Sequence, residues 1–245
     1  MSKAEKNLKF CYTKTLPMFM GKSIARAISA KGKTWDVGQT LNIYFIGGTK
    51  AQKSKVYNTV QTIKKYANIN FRLVSHRENS DIRVSFMRGR GSWSYVGTDA
   101  IYVPDNEPTM NFGWGPDTAT ILHEFLHALG FKHEHQNPRG GIDWNRENVI
   151  RDLSGPPNNW DVRTIERNVL NMESLKNSLA TSFDIKSIMI YAFPDSWTKN
   201  TGRIKQNKKL SSKDKQHLSR LYPFTKGGTL YSRRSLFKRV LDWFR

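Results

Sequence analysis

The residues able to do chemistry gather in one stretch, His123-Glu124-Phe125-Leu126-His127-Ala128-Leu129-Gly130-Phe131-Lys132-His133-Glu134, and His135 follows at once. On a helix, positions i and i+4 share one face with Cβ atoms about 5–6 Å apart. His123 and His127 therefore aim their imidazoles at one point. Zinc takes such nitrogens at about 2.0–2.1 Å. Glu124, one step round the helix, reaches a metal-bound water without ligating the metal itself. Gly130 suits the left-handed conformation that ends a helix, so the chain can double back and bring in His133 as a third ligand. Three protein ligands leave a fourth position open for water, which is the arrangement of a catalytic zinc rather than a structural one. Two histidines and a glutamate in this order also arise as core residues of a buried helix. The added Gly130 and His133, at the longer spacing, make that bland reading poor.

The stretch resembles the zinc signature of the metzincin metallopeptidases, and Phe131 and Glu134 around the third histidine resemble the astacin branch. A separate piece, Ser187-Ile188-Met189-Ile190-Tyr191, resembles the Met-turn of that branch. Alone, Met189 is core filler and Tyr191 an ordinary half-buried aromatic. The resemblance implies that Met189 packs beneath the metal. It implies that Tyr191 ligates zinc in the resting enzyme and then swings to hydrogen-bond the transition-state oxyanion. The implied protein is a zinc metalloendopeptidase with one catalytic Zn2+ held by His123, His127 and His133. A metal-activated water, with Glu124 as general base, would cut peptide bonds of protein or peptide substrates. The implied fold is α+β and two-lobed, the upper lobe a mixed twisted sheet with two helices, the lower lobe irregular with a late helix. Gly97, Thr98, Asp99 and Ala100 would form the edge strand that pairs with an extended substrate; an ordinary edge is the competing reading. Two departures from the family stand out. Pro138-Arg139-Gly140-Gly141-Ile142-Asp143 replaces an Arg/Asp-rich stretch, and no maturation site is evident to supply the N-terminus that Glu134 meets in astacins, so Glu134 is expected to find another partner.

Beyond these motifs, 245 residues suffice for a large core. No run approaches the roughly 18 apolar residues of a membrane span. Met1 to Lys6 leads into no apolar run, so no secretory signal is expected, and an intracellular or non-classically released protein is favoured. Cys11 is the sole cysteine, which excludes an intramolecular disulfide, suits a reducing compartment and departs from the disulfide-bonded secreted astacins. A thiolate can bind zinc, so Cys11 is either an idle buried thiol or a latency ligand that masks the site. The net charge is +20. Eight basic residues and one acid lie between Met1 and Trp35, and fourteen basic residues and two acids between Lys199 and Arg245. Such ends either keep the surface solvated or bind an anionic membrane or acidic partner. The alternative to an enzyme is a non-catalytic basic binding protein on the same scaffold, associating with anionic surfaces or nucleic acid. Its mark would be loss of Glu124 or a histidine, and neither is lost. A nucleic-acid protein with structural zinc would want thiolate-rich ligation, against which a single cysteine argues. A monomer is expected.

The elements that must position these residues follow from periodicity. A short helix is read over Lys22–Ala30. Leu41–Ile46 reads as a strand closed by Gly47-Gly48, and Val56, Val60, Ile63 and Ala67 mark a helix over Ala51–Ala67. Strands are expected at Asn70–Val74 and Asp81–Phe86, one or two short ones over Ser94–Ala100 with Ile101–Val103 after it, and a further short one at Thr109–Phe112. The zinc helix starts at Asp117 or Thr118, either of which can cap it. Helices are read at Asp161–Leu175 and from Ser211 to Tyr222, before Pro223. The expected domains are a basic segment 1–35, a catalytic domain 36–225 divided near 133, and a basic amphipathic tail 226–245, whose apolar face suits a membrane, a partner or its own domain.

Overall fold

The computed structural model describes residues 11–14, 32–156, 158–174 and 182–224. The expected helix at Lys22–Ala30 and the tail 226–245 lie outside the described residues. The upper lobe is a six-stranded sheet in the order β1-β5-β6-β4-β2-β3. The strands are β1 (Tyr12–Lys14), β2 (Thr40–Ile46), β3 (Asn70–Leu73), β4 (Ile82–Ser85), β5 (Ser92–Tyr95) and β6 (Met110–Phe112). β2, β3, β4 and β6 run parallel, β5 runs antiparallel to β6, and β1 lies parallel to β5 on its outer side. Gly47 and Gly48, both at positive φ, turn β2 into helix α1 (Lys50–Gln61), where Thr49 and Gln52 form a capping box.

Helix α2 (Thr118–Ala128) carries the first two histidines. Asp117 caps it, accepting from the Ala119 and Thr120 amides at 2.9 and 3.0 Å. Ile121, Phe125 and Leu126 are fully buried and pack with Val56 and Val60 of α1 and with Leu41, Ile43 and Val84 of the sheet in one hydrophobic cluster. Each such side chain stabilises the fold by about 1.5–3 kcal/mol, so the zinc helix is the central strut of the upper lobe. Its C-terminus is closed three ways. Gly130, at φ +97, completes a Schellman turn in which the Phe131 amide donates to Leu126 O and the Gly130 amide to His127 O. Trp35 Nε1 donates to Ala128 O at 2.7 Å and the Tyr222 hydroxyl to Leu129 O at 2.8 Å.

The lower lobe holds helices α3 (Arg146–Ser154), α4 (Val162–Ile165) and α5 (Ser212–Leu221). A second hydrophobic cluster, with Val149, Leu153, Ile165, Phe193 and Trp197, fills it. The expected helix from Asp161 is real but short: α4 passes into a π-helical turn, Glu166–Leu170, and ends there. Helix α3 is an element the sequence reading omitted.

The largest correction concerns Gly97, Thr98, Asp99 and Ala100. They form the start of a 3-10 helix, Gly97–Tyr102, and not an edge strand. Gly97 sits at φ +54, and a Cβ there would lie 1.6 Å from the Lys33 carbonyl. The Thr98 amide donates to that carbonyl, and the Lys33 ammonium pairs with Asp99. These contacts with an incoming segment override the strand that the resemblance implied, and the strand ahead of it, β5, is covered on its outer side by β1, which forms the edge. Among the described residues no helix is long and apolar enough to cross a membrane.

Gly130→Ala is expected to cost about 1–3 kcal/mol, because a non-glycine residue is strained at positive φ and its Cβ would stand 3.3 Å from Lys33 O. Urea unfolding of the two proteins measures the difference.

Candidate active site

His123 and His127 project from α2, and His133 returns after the Gly130 turn. Their Nε2 atoms lie 3.0 Å (His127–His123), 3.0 Å (His127–His133) and 3.3 Å (His123–His133) apart. Tetrahedral nitrogen ligands at about 2.05 Å from one ion would be about 3.3 Å apart. The far side of two rings settles what the near side offers. His123 Nδ1 meets Ile188 O at 2.8 Å and His127 Nδ1 meets Phe131 O at 2.8 Å. A carbonyl only accepts, so each Nδ1 carries the proton and each Nε2 presents a lone pair. Two lone pairs 3.0 Å apart repel unless a cation lies between them. The histidines thus fit a zinc ion, and all three are buried. Burial pushes His123 down to about 4 and holds His127 and His133 well below the ordinary imidazole range. The ligands are therefore neutral, as a metal requires.

Glu124 is fully buried in the cleft beside them, and burial raises its carboxyl to about 8. A group that exchanges its proton near neutrality suits a base that later acts as an acid. The Tyr191 hydroxyl stands 2.6 Å from His133 Nε2, so the tyrosine two residues beyond Met189 faces the histidine cluster. Met189 is buried in the upper cluster, and its carbonyl receives the Glu134 amide at 3.0 Å. The cleft, about 250 Å³, is lined among others by Trp114, Thr120, Glu124, Tyr191 and Arg203.

Two buried carboxylates hold this geometry. Asp214, on α5, accepts from Ser187 Oγ at 2.6 Å and from the Ile188 amide at 2.9 Å. It fixes the amide of Ile188, the residue whose carbonyl orients His123. Glu134 does find another partner: its Oε1 accepts from Asn137 Nδ2 at 2.9 Å and from the Asp184 amide at 2.8 Å. Burial nevertheless raises Glu134 to about 7. His135 is buried, its ring 4.8 Å from that of Tyr191 and its Nε2 donating to Asn168 O, so it packs behind the cluster. His217 is also buried, with its ring 6.2 Å from Phe131, and takes no part in the histidine cluster. Asp214, Trp35, Tyr222, Trp114 and Arg203 escaped the sequence reading, since their roles arise from contacts far apart in the chain.

Helix-borne histidines in this register, a turn that returns the third, and a methionine-tyrosine turn beneath them define a metzincin. The pattern of the Astacin peptidase family matches residues 27–223, and the chain belongs to that family, whose catalytic ion is zinc. Rat (Rattus norvegicus) meprin A subunit beta is 32% identical over 141 residues, 57% of this chain and 18% of that protein. The Caenorhabditis elegans zinc metalloproteinase nas-24 is 27% identical over 150 residues, 59% and 36% of the two chains. The chain thus spans well under half of either relative. Among solved structures, myroilysin superposes with TM-score 0.76 and 36% identity, covering 80% of this chain and 98% of that one. A hatching enzyme of Oryzias latipes, at 18% identity and TM-score 0.55 over 79% of this chain and 96% of that one, shares the fold.

Two outcomes are expected here. Asp214→Asn keeps the size but turns a donor toward the Ser187 and Ile188 donors; zinc affinity should fall about 10-fold or more, read by chelator competition. Glu134 has a folded pKa near 7 against an ordinary value near 4.5, so its contribution to stability is fully present below about pH 4.5 and lost as pH rises through about 7. In metal-free protein, Glu134→Gln retains the acceptor and should flatten the fall in Tm across that window.

Proposed function

We propose that this chain is a zinc-dependent endopeptidase acting on proteins or peptides, with His123, His127 and His133 as the metal ligands and Glu124 as general base. The observation that carries it is the convergence of three imidazole nitrogens within 3.3 Å, two of them presenting lone pairs, beside a buried carboxylate in an open cleft. Zinc, when bound there, supplies Lewis acidity toward water and the scissile carbonyl. Glu124 takes the proton of the attacking water and passes it to the leaving amine. Its place in the cleft beside the histidine cluster puts the carboxylate within reach of both transfers. Tyr191, whose hydroxyl already faces the histidine cluster, donates to the oxyanion. Met189 supports the cluster from below and touches no reacting atom. A substrate strand would align on the outer row of β5, which β1 occupies in this structure.

The reading as a binding protein that keeps the scaffold without turnover is not favoured. Such a protein has no need to bury a carboxylate next to three neutral imidazoles, a costly arrangement that these residues retain.

Glu124→Gln should lower cleavage of an unfolded protein substrate by at least about 10²-fold while one zinc per chain is still bound. Tyr191→Phe should lower it by about 10²-fold or less. Full activity in Glu124→Gln would refute the assigned base.

A further inference from the structure

We propose that the far edge of the sheet, at β3, is a second binding surface, which takes up an extended acidic segment of a protein partner. It lies outside the histidine cleft and does not depend on the metal chemistry. Strand β3 ends the sheet order, so one side of it meets no further strand among the described residues. The Asn70 and Val74 amides donate to Gln39 O and Ile43 O. In a parallel ladder this leaves the backbone groups of Phe71 and Leu73 pointing outward. An open strand edge is a template for another chain unless something blunts it. The charge on β3 itself does not: the Arg72 guanidinium turns back across the sheet to Asn42 Oδ1, with Nη2 at 3.0 Å and Nε at 3.2 Å. The Phe71 carbonyl accepts from Gln61 Nε2 at 3.3 Å, and among the described residues no side chain does the same at Leu73.

Beside Leu73 a pocket of about 340 Å³ opens between α1 and the sheet, lined by Phe45, Tyr57 and Leu73 together with Lys50 and Lys53. Leu73 is 46% exposed, so an apolar wall of this pocket stands in water. The charge around it has one sign. From Val37 to Arg77 the chain carries seven basic residues and no acid. Among the described residues neither Lys50 nor Lys53 forms an ion pair. Lysines that merely solvate a helix explain the charge, but not an apolar pocket beneath them with an open strand edge alongside.

These three features fit one occupant. A strand added to β3 places every second side chain on the α1 face, about 7 Å apart. An apolar side chain entering the pocket and a carboxylate two residues away then meet Leu73 and the lysines from the same face, while the backbone pairs with the Leu73 groups. A nucleic-acid backbone would meet the lysines and leave the strand edge and the apolar wall unused.

The test is fluorescence anisotropy with a labelled peptide carrying leucine and glutamate in turn at every second position and serine between them. The protein is the full chain with Glu124→Gln, which spares the peptide from cleavage. Adding Lys50→Glu and Lys53→Glu together should weaken binding at least about 10-fold. Leu73→Asp, at an exposed position, should do the same and covers the case in which the double charge reversal disturbs folding. Methylating the peptide's amide nitrogens at the serines and, separately, at the leucines and glutamates should give one peptide that binds at least about 10-fold more weakly, because only one row of amides faces β3. No binding by the parent protein, or unchanged affinity in both sets of variants, would overturn the proposal. So would two methylated peptides that bind as tightly as the original, or an oligothymidylate that displaces the peptide and binds more tightly through the same lysines.

Discussion

Three imidazole nitrogens gathered 3.0–3.3 Å apart, two of them with lone pairs turned toward each other, is an arrangement that a folded chain does not adopt without cause. Each ring must be desolvated, kept neutral and prevented from turning away. The chain meets these demands with backbone carbonyls on the far sides of His123 and His127 and a buried setting that suppresses protonation. A cation in the gap converts the repulsion into ligation, and much of the rest of the molecule is arranged to hold the gap open.

The holding is done from both lobes. The sheet and α1 grip α2 through Phe125, Ile121 and Leu126. Trp35 and Tyr222, from the two ends of the described domain, tie down the carbonyls at its end. The lower lobe contributes through carboxylates. Asp214 pins the Ser187–Ile188 peptide, and Glu134 joins the segment after His133 to Asp184. Burying these acids costs solvation, and the hydrogen bonds they accept offset part of it. In return the third histidine and the Met-turn keep one position relative to α2, which a metal site needs more than a hydrophobic core does.

The parts of this that were legible in the sequence share one property: they are local. The i, i+4 histidines, the Asp117 cap, the Gly130 turn and the alternating strands all follow from contacts within a few residues. Helix α3 was legible too, with Asn145 able to cap it and Val149 and Leu153 at helical spacing, but its loop-rich neighbours hid it. Gly97–Ala100, given as an edge strand by the family resemblance, is instead a 3-10 turn dictated by Lys33, brought from far upstream. Asp214 reaches Ser187 across 27 residues and Cys11 reaches Glu124 across 113. No period or spacing encodes such pairs, so the support of the site emerges only with the fold.

The central claim is that His123, His127 and His133 together form one zinc site. Calorimetric titration of zinc into metal-free protein, beside a variant with all three replaced by glutamine, tests it most directly. One saturable equivalent in the wild type, absent from the triple variant, is the predicted result. No saturable binding, or the same binding with the three histidines gone, would contradict it.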